Sequence, residues 1–76
     1  MTHLYKVPLQ HADMFISNID IEKHLISYTM RDKSSGILIE PPISNDVFTV
    51  LEDRISFSKR FIKHDEVYQI HSTLNL

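Results

Sequence analysis

The chain lacks cysteine and tryptophan, and has one glycine and one alanine among 76 residues. Without cysteine there is no disulfide framework, no thiolate metal site and no thiol nucleophile. A single glycine, Gly36, cannot build either of the glycine-rich loops that cradle phosphates. No apolar run approaches the roughly 18 residues that a membrane-crossing helix needs. The opening MTHLYKVPLQHAD has no continuous apolar stretch of the kind that marks a secretory signal. A cytoplasmic protein without membrane contact is therefore expected.

An excess of charge of one sign is also missing. Eight Lys/Arg oppose ten Asp/Glu, for a net charge of −2, and each of the segments 1–40 and 41–76 carries four basic and five acidic residues. A global pull toward nucleic acid is absent, so such a role would have to rest on a local patch.

What is present describes a folded chain. Hydrophobic residues make up 42% and charged ones 24%, the proportions of a globular domain rather than a disordered one. One small domain over residues 1–76 is expected, near the lower size limit, where folding buries only about 60% of the unfolded surface. Packing, helped by self-association, has to supply the stability. Ten isoleucines against one alanine fit an AT-rich coding sequence, as in a low-GC bacterium, a phage or another mobile element.

Residues 4–9 read as a strand that Pro8 confines to an edge. Ala12, Phe15, Ile16 and Ile19 have the i, i+3, i+4, i+7 spacing of a short helix. Ile26 to Arg31 alternate as a half-buried strand, residues 32–36 supply turn chemistry, and Ile37-Leu38-Ile39 continues as the second arm of a hairpin. The segment 40–46, with Pro41-Pro42 followed by Ser44-Asn45-Asp46, reads as a break that leads into a helix. Over residues 46–63, Val47, Phe48, Val50, Leu51, Ile55, Phe57, Phe61 and Ile62 share half of a helical wheel. Acidic residues lie early and basic ones late, as the macrodipole favours. Two strands parting near Glu52-Asp53 are the rival reading of that segment. Val67 to Ser72 reads as a final strand. The fold class is then α+β, a small antiparallel sheet packed by one long helix, with a ferredoxin-like βαββαβ order as its finer form. An all-β meander or small barrel is the alternative, given the Ile, Val, Thr, Tyr and Phe content.

Four chemistries can be weighed on these residues. Arg54, Lys59, Arg60 and Lys63 surround Phe57 and Phe61 in RISFSKRFIKH, a combination that could contact phosphates and stack on bases. On a helix, however, Phe57 and Phe61 face inward while Lys59, Arg60 and Lys63 face outward, which makes the segment a solvated basic helix end; in the strand reading Ile55, Phe57, Lys59 and Phe61 would share one face and the binding reading gains. An RNA-recognition sheet needs exposed aromatics on its central strands; only Tyr5 is available on the first strand and none on the third. Five histidines, His3, His11, His24, His64 and His71, include two beside carboxylates, in His11-Ala12-Asp13 and His64-Asp65-Glu66. They lack the recurrent spacing of a zinc site, so a His/carboxylate metal site is a minor alternative. Ser56-Phe57-Ser58-Lys59 matches a bare Ser-x-x-Lys pattern without its companion motifs.

No catalytic constellation or cofactor is implied. The expected function is that of a non-enzymatic regulator, inhibitor or accessory subunit acting by contact with another protein, with itself as a homodimer, or both. The hairpin from Ile26 to Ile39 and the last strand are the expected contact elements, and Ile26, Tyr28, Met30, Tyr68 and Ile70 the candidate contact residues. A nucleic-acid-binding regulator using Arg54, Lys59, Arg60 and Lys63 is the alternative.

Overall fold

Four strands in sequence order, Tyr5–Pro8 (β1), Ala12–Asp20 (β2), Leu25–Asp32 (β3) and Leu38–Val47 (β4), form an antiparallel meander. Three more, Thr49–Val50 (β5), Arg54–Phe57 (β6) and Arg60–Lys63 (β7), form a second meander, and His64–Leu74 (α1) closes the chain as a helix. The computed structural model describes residues 4–76. The protein is thus a small α+β fold. Among the described residues seven strands precede one terminal helix, an order that differs from βαββαβ.

Short local contacts set each reversal. Between β2 and β3 the Asp20 carboxylate accepts the Lys23 N–H at 3.0 Å, and His24 takes a left-handed conformation (φ 54°). Between β3 and β4 the Asp32 carboxylate accepts both the N–H and the hydroxyl of Ser35, each at 3.0 Å. Gly36 follows at φ 72°, where a side chain would be strained. Its N–H donates to the Asp32 carbonyl at 2.8 Å. The β6–β7 hairpin turns through Ser58 and Lys59, with φ 47° and 62°. Two consecutive left-handed residues make the tight turn whose twist matches the flanking strands, a turn that ordinarily uses Asn-Gly.

The inner faces of both sheets and the helix share one core. The first sheet contributes Met14, Ile16, Ile19, Ile26 and Tyr28, the second Ile55, Phe57 and Ile62, and the helix Ile70. Phe48, the single residue between β4 and β5, is buried with them. The Tyr28 and Phe57 rings meet between the sheets, with centroids 5.8 Å apart and planes tilted by 58°, a geometry worth about 0.5–1.5 kcal/mol beyond area burial.

Three sequence expectations change here: in two of them a phase shift in a strand imitates helical spacing, and in the third a helix of strand-like composition imitates a strand. In β2 a bulge between Ile16 and Asn18 advances the register, so Met14, Ile16 and Ile19 all point inward. That spacing resembles one face of a helix, but Phe15 lies on the opposite side of the sheet. Over residues 46–63 the buried residues Ile55, Phe57 and Ile62 follow period two on each side of the Ser58-Lys59 turn. The turn makes the combined pattern fall on half a wheel, while the β-branched and aromatic content favours strands. The rival reading, two strands parting near Glu52-Asp53, has the element type and that break, but the segment holds the end of β4 and then three strands, β5, β6 and β7, with a second turn at Ser58-Lys59. Residues 67–72, expected as a strand, belong to α1, where Val67, Ile70 and Leu74 pack against the core at i, i+3, i+7. Asp65 and Glu66 in its first turn and His71 in its last suit the macrodipole.

The stretch 40–46 is a kinked strand and not a break. Met30 pairs with Ile39 and Tyr28 with Ser44, so residues 40–43 bow out opposite Thr29, whose hydroxyl donates to the Pro42 carbonyl at 2.9 Å.

Two stability outcomes follow from this packing. Ile70 is the one fully buried residue of the helix, so Ile70→Ala should cost about 2–5 kcal/mol in urea unfolding; a cost under about 1 kcal/mol would show that α1 is not anchored by it. Non-glycine residues in left-handed conformations cost about 1–3 kcal/mol each. Replacing Ser58 by Asn together with Lys59 by Gly should therefore raise stability by about 1 kcal/mol, and a loss of stability would contradict the turn assignment.

Candidate functional site

Burial divides the expected contact residues. Ile26 and Ile70 are fully buried and Tyr28 is 6% exposed, so these three are core and offer no surface to a partner. Met30 is partly buried and packs on the core. Tyr68 alone is open, at 72% exposure. The surplus apolar surface lies elsewhere, at Ile21, Ile39, Ile43, Val47, Val50 and Phe61, each more than two-fifths exposed.

Part of that surplus is concave. A cavity of about 220 Å³ opens between the β2–β3 turn, the second sheet and the helix, lined by Ile21, Phe48, Val50, Ile55, Val67 and Tyr68, with His64 at its side. The local chain explains the opening. Ile21 sits at the tip of a polar turn, and Val50 is on β5, a two-residue edge strand that has no neighbour beyond it among the described residues. Tyr68 lies one residue beyond the helix face that reaches the core. His64 is pinned by a 2.9 Å hydrogen bond between its Nε2 and the Leu51 carbonyl, and the His24 ring stacks on Phe48 at 5.1 Å behind the lining. Drug-sized ligand sites run from about 300 to 1,000 Å³, so this groove is small for a substrate and suits one or two apolar side chains. The charged residues next to the lining in sequence are mostly acidic: Asp20 and Glu22 beside Ile21, and Asp65 and Glu66 beside His64 and Val67, against the basic neighbours Arg54 and Lys63. A hollow of similar volume on the open face of the first sheet is lined by Leu4, Phe15, Thr29 and Arg31.

The basic residues are only partly gathered. Across β6–β7 Arg54 faces Lys63 and Ser56 faces Phe61 on the outward side, while Ile55, Phe57 and Ile62 point inward. The two-residue turn thus separates the phenylalanines: Phe57 is core, and Phe61 is 58% exposed. The Arg54 guanidinium lies 4.9 Å from the Phe61 ring centroid, within cation–π range. Its Nε also donates to Asp53 at 3.1 Å, and this bond holds the Asp53 carboxyl below its usual range. Lys59 stands in the turn, and Arg60 pairs with Phe57 on the inward side, half-buried. Arg54, Phe61 and Lys63 therefore share a surface that Arg60 does not.

His3 lies outside the described residues. His11, His24, His64 and His71 fall on separate elements, and among the described residues no group of three or more His, Asp or Glu side chains converges. Ser56 is on the outward side of the β6–β7 hairpin and Lys59 is in its turn. No described helix is long and apolar enough to cross a membrane. The chain matches no protein-family model, and searches of curated proteins and of solved structures find no significant similarity.

A polar contact at the edge of the core is that of Tyr28, whose hydroxyl donates to the Asp46 carboxylate. Burial, then this bond to an anion, push the Tyr28 phenol above its ordinary pKa. A raised pKa means that the fold favours the protonated phenol. The associated stability is complete below about pH 10, the ordinary tyrosine value, and is lost as pH rises through the folded-state pKa. Alkaline unfolding should accordingly steepen above that pH in wild type and flatten in Tyr28→Phe, followed by circular dichroism; identical profiles would place the Tyr28–Asp46 contact outside the folded-state energetics.

Proposed function

We propose that this is a non-enzymatic, cytoplasmic protein that acts by contact with another protein, as a small regulator, inhibitor or accessory subunit. The observation that carries the reading is the apolar groove between Ile21, Val50, Val67 and Tyr68. Its size fits an anchoring side chain, and buried anchors of that kind supply most of the energy of protein interfaces. The acidic neighbours Glu22, Asp65 and Glu66 select a partner segment with leucine-like anchors flanked by lysine or arginine, since complementary charge speeds encounter and rejects like-charged partners.

A second reading, nucleic-acid binding, draws on the outward face where Arg54 and Lys63 flank the exposed Phe61. A stacking platform beside two cations is the minimal arrangement for a single strand. The nearby Asp53 and the inward position of Arg60 weaken it.

One titration separates the two. A leucine–lysine amphipathic peptide added to labelled protein should shift the amide signals of Ile21, Val50, Val67 and Tyr68, and Val50→Lys should abolish the response without loss of stability. Single-stranded DNA should leave Arg54, Phe61 and Lys63 unmoved. Salt-sensitive DNA binding mapped to those three, with no peptide response, would overturn the ranking.

A further inference from the structure

We infer that the free edge of β4 is a homodimerisation surface, on which a second copy of this chain adds its own β4 antiparallel across a two-fold axis at Asn45. The inference is independent of what occupies the groove.

The backbone phase comes first. The Phe48 N–H donates to the His24 carbonyl at 2.9 Å, and the β3–β4 register pairs Leu25 with Val47, Ile26 with Asp46, Ser27 with Asn45 and Tyr28 with Ser44. Hydrogen-bonded pairs alternate along an antiparallel ladder, so Asp46 and Ser44 spend their main-chain groups on β3. The N–H and C=O groups of Ile43, Asn45 and Val47 then point away from the sheet. β4 is the last strand of its sheet, and the side chains of Ile43 and Val47 are 59% and 70% exposed. An unpaired edge carrying exposed aliphatic residues is a template for another strand.

The second copy fits because the segment Ile43-Ser44-Asn45-Asp46-Val47 complements itself when reversed. With the axis at Asn45, Ile43 of one copy faces Val47 of the other, Ser44 faces Asp46, and Asn45 faces Asn45. The three outward residues meet as hydrogen-bonded pairs. The aliphatic pairs flank the axis on the open face of the sheet, and each Ser44 hydroxyl can donate to an Asp46 carboxylate on the other face. Neighbouring registers of the same phase are worse. An axis at Asp46 sets two carboxylates directly opposite, which is repulsive. An axis at Ser44 places Val47 opposite Pro41, which has no N–H to donate. Beyond Val47 the chain turns inward at the buried Phe48, so the free edge ends there.

A cysteine-free chain makes the test direct. Hydrogen-bonded antiparallel partners lie about 5.5 Å apart at Cα, within the disulfide window, so Asn45→Cys should cross-link to a covalent dimer under mild oxidation. Lys33→Cys, at the distant β3–β4 turn, should not cross-link at equal concentration. Sedimentation equilibrium of the unmodified chain should show a dimer at roughly tens of micromolar, as for a small interface. Ile43→Lys and Val47→Glu should each weaken it at least tenfold, and the double variant, which pairs the new charges across the axis, should recover it. A monomer up to roughly 1 mM, cross-linking no better at Asn45→Cys than at Lys33→Cys, or failure of the double variant to recover would each overturn the inference. A monomeric chain that still binds the leucine–lysine peptide would leave the groove reading intact.

Discussion

Phe48 is the residue on which the arrangement depends. It is the only link between the four-stranded and three-stranded sheets, and it is buried to 3% exposure. Its N–H is tied to the His24 carbonyl and its ring stacks on the His24 imidazole. Burying an aromatic ring at a chain reversal fixes the direction of both segments that leave it, because the ring has only one packed position. From this constraint follow the placement of the second sheet against Tyr28, the groove that Phe48 helps to line, and the point at which the β4 edge stops.

The helix is the plug that makes so small a core sufficient. Two short meanders cannot by themselves cover each other's inner faces, and a hairpin pair alone is marginal in water. The helix packs on β1, β2 and β7 and puts Ile70 into the same core cluster as Met14, Ile16, Ile55 and Ile62. The N-terminal residue of the helix follows directly on β7, and Lys63 makes no side-chain cap. The helix is therefore held by tertiary packing rather than by local signals, which is why its weak propensity sequence, with Val, Tyr, Ile, His, Ser and Thr, does not announce it.

That also explains which parts of the fold were legible. Strands β1 and β3 and the Asp32–Gly36 turn carry alternation or turn chemistry that no tertiary event disturbs, and they stand where the sequence placed them. The α+β class was legible as well. The element types of β2 and of residues 46–63 were not, since a bulge at Ser17 and a two-residue turn at Ser58-Lys59 convert period two into apparent helical spacing; that of the C-terminal segment was not either, since its β-branched and aromatic residues read as a strand. Neither device has a strong local signature: the bulge has no glycine, and the turn uses Ser-Lys in place of Asn-Gly. Of the candidate site, Tyr68 and the flanking of an exposed phenylalanine by Arg54 and Lys63 were visible as residues. The groove was not, because it joins a turn, an edge strand and a helix from three distant parts of the chain.

The β4 edge shows how a sheet can be open yet selective. Proteins blunt free edges with prolines, bulges and inward-pointing charges, and this strand has all three, in Pro41-Pro42, the bow opposite Thr29 and the core-side Asp46. Placed at random along the strand, such features would close the edge. Here the prolines and the bow stop pairing on one side of Ile43, and Phe48 stops it on the other. Asp46, held by the Tyr28 hydroxyl, penalises any incoming strand that presents an acidic or apolar residue opposite it. What remains is five residues whose ladder tolerates a hydroxyl opposite Asp46 and aliphatic groups opposite Ile43 and Val47. The strand's own reversed sequence meets those conditions, so the same groups that repel indiscriminate partners define the one they admit.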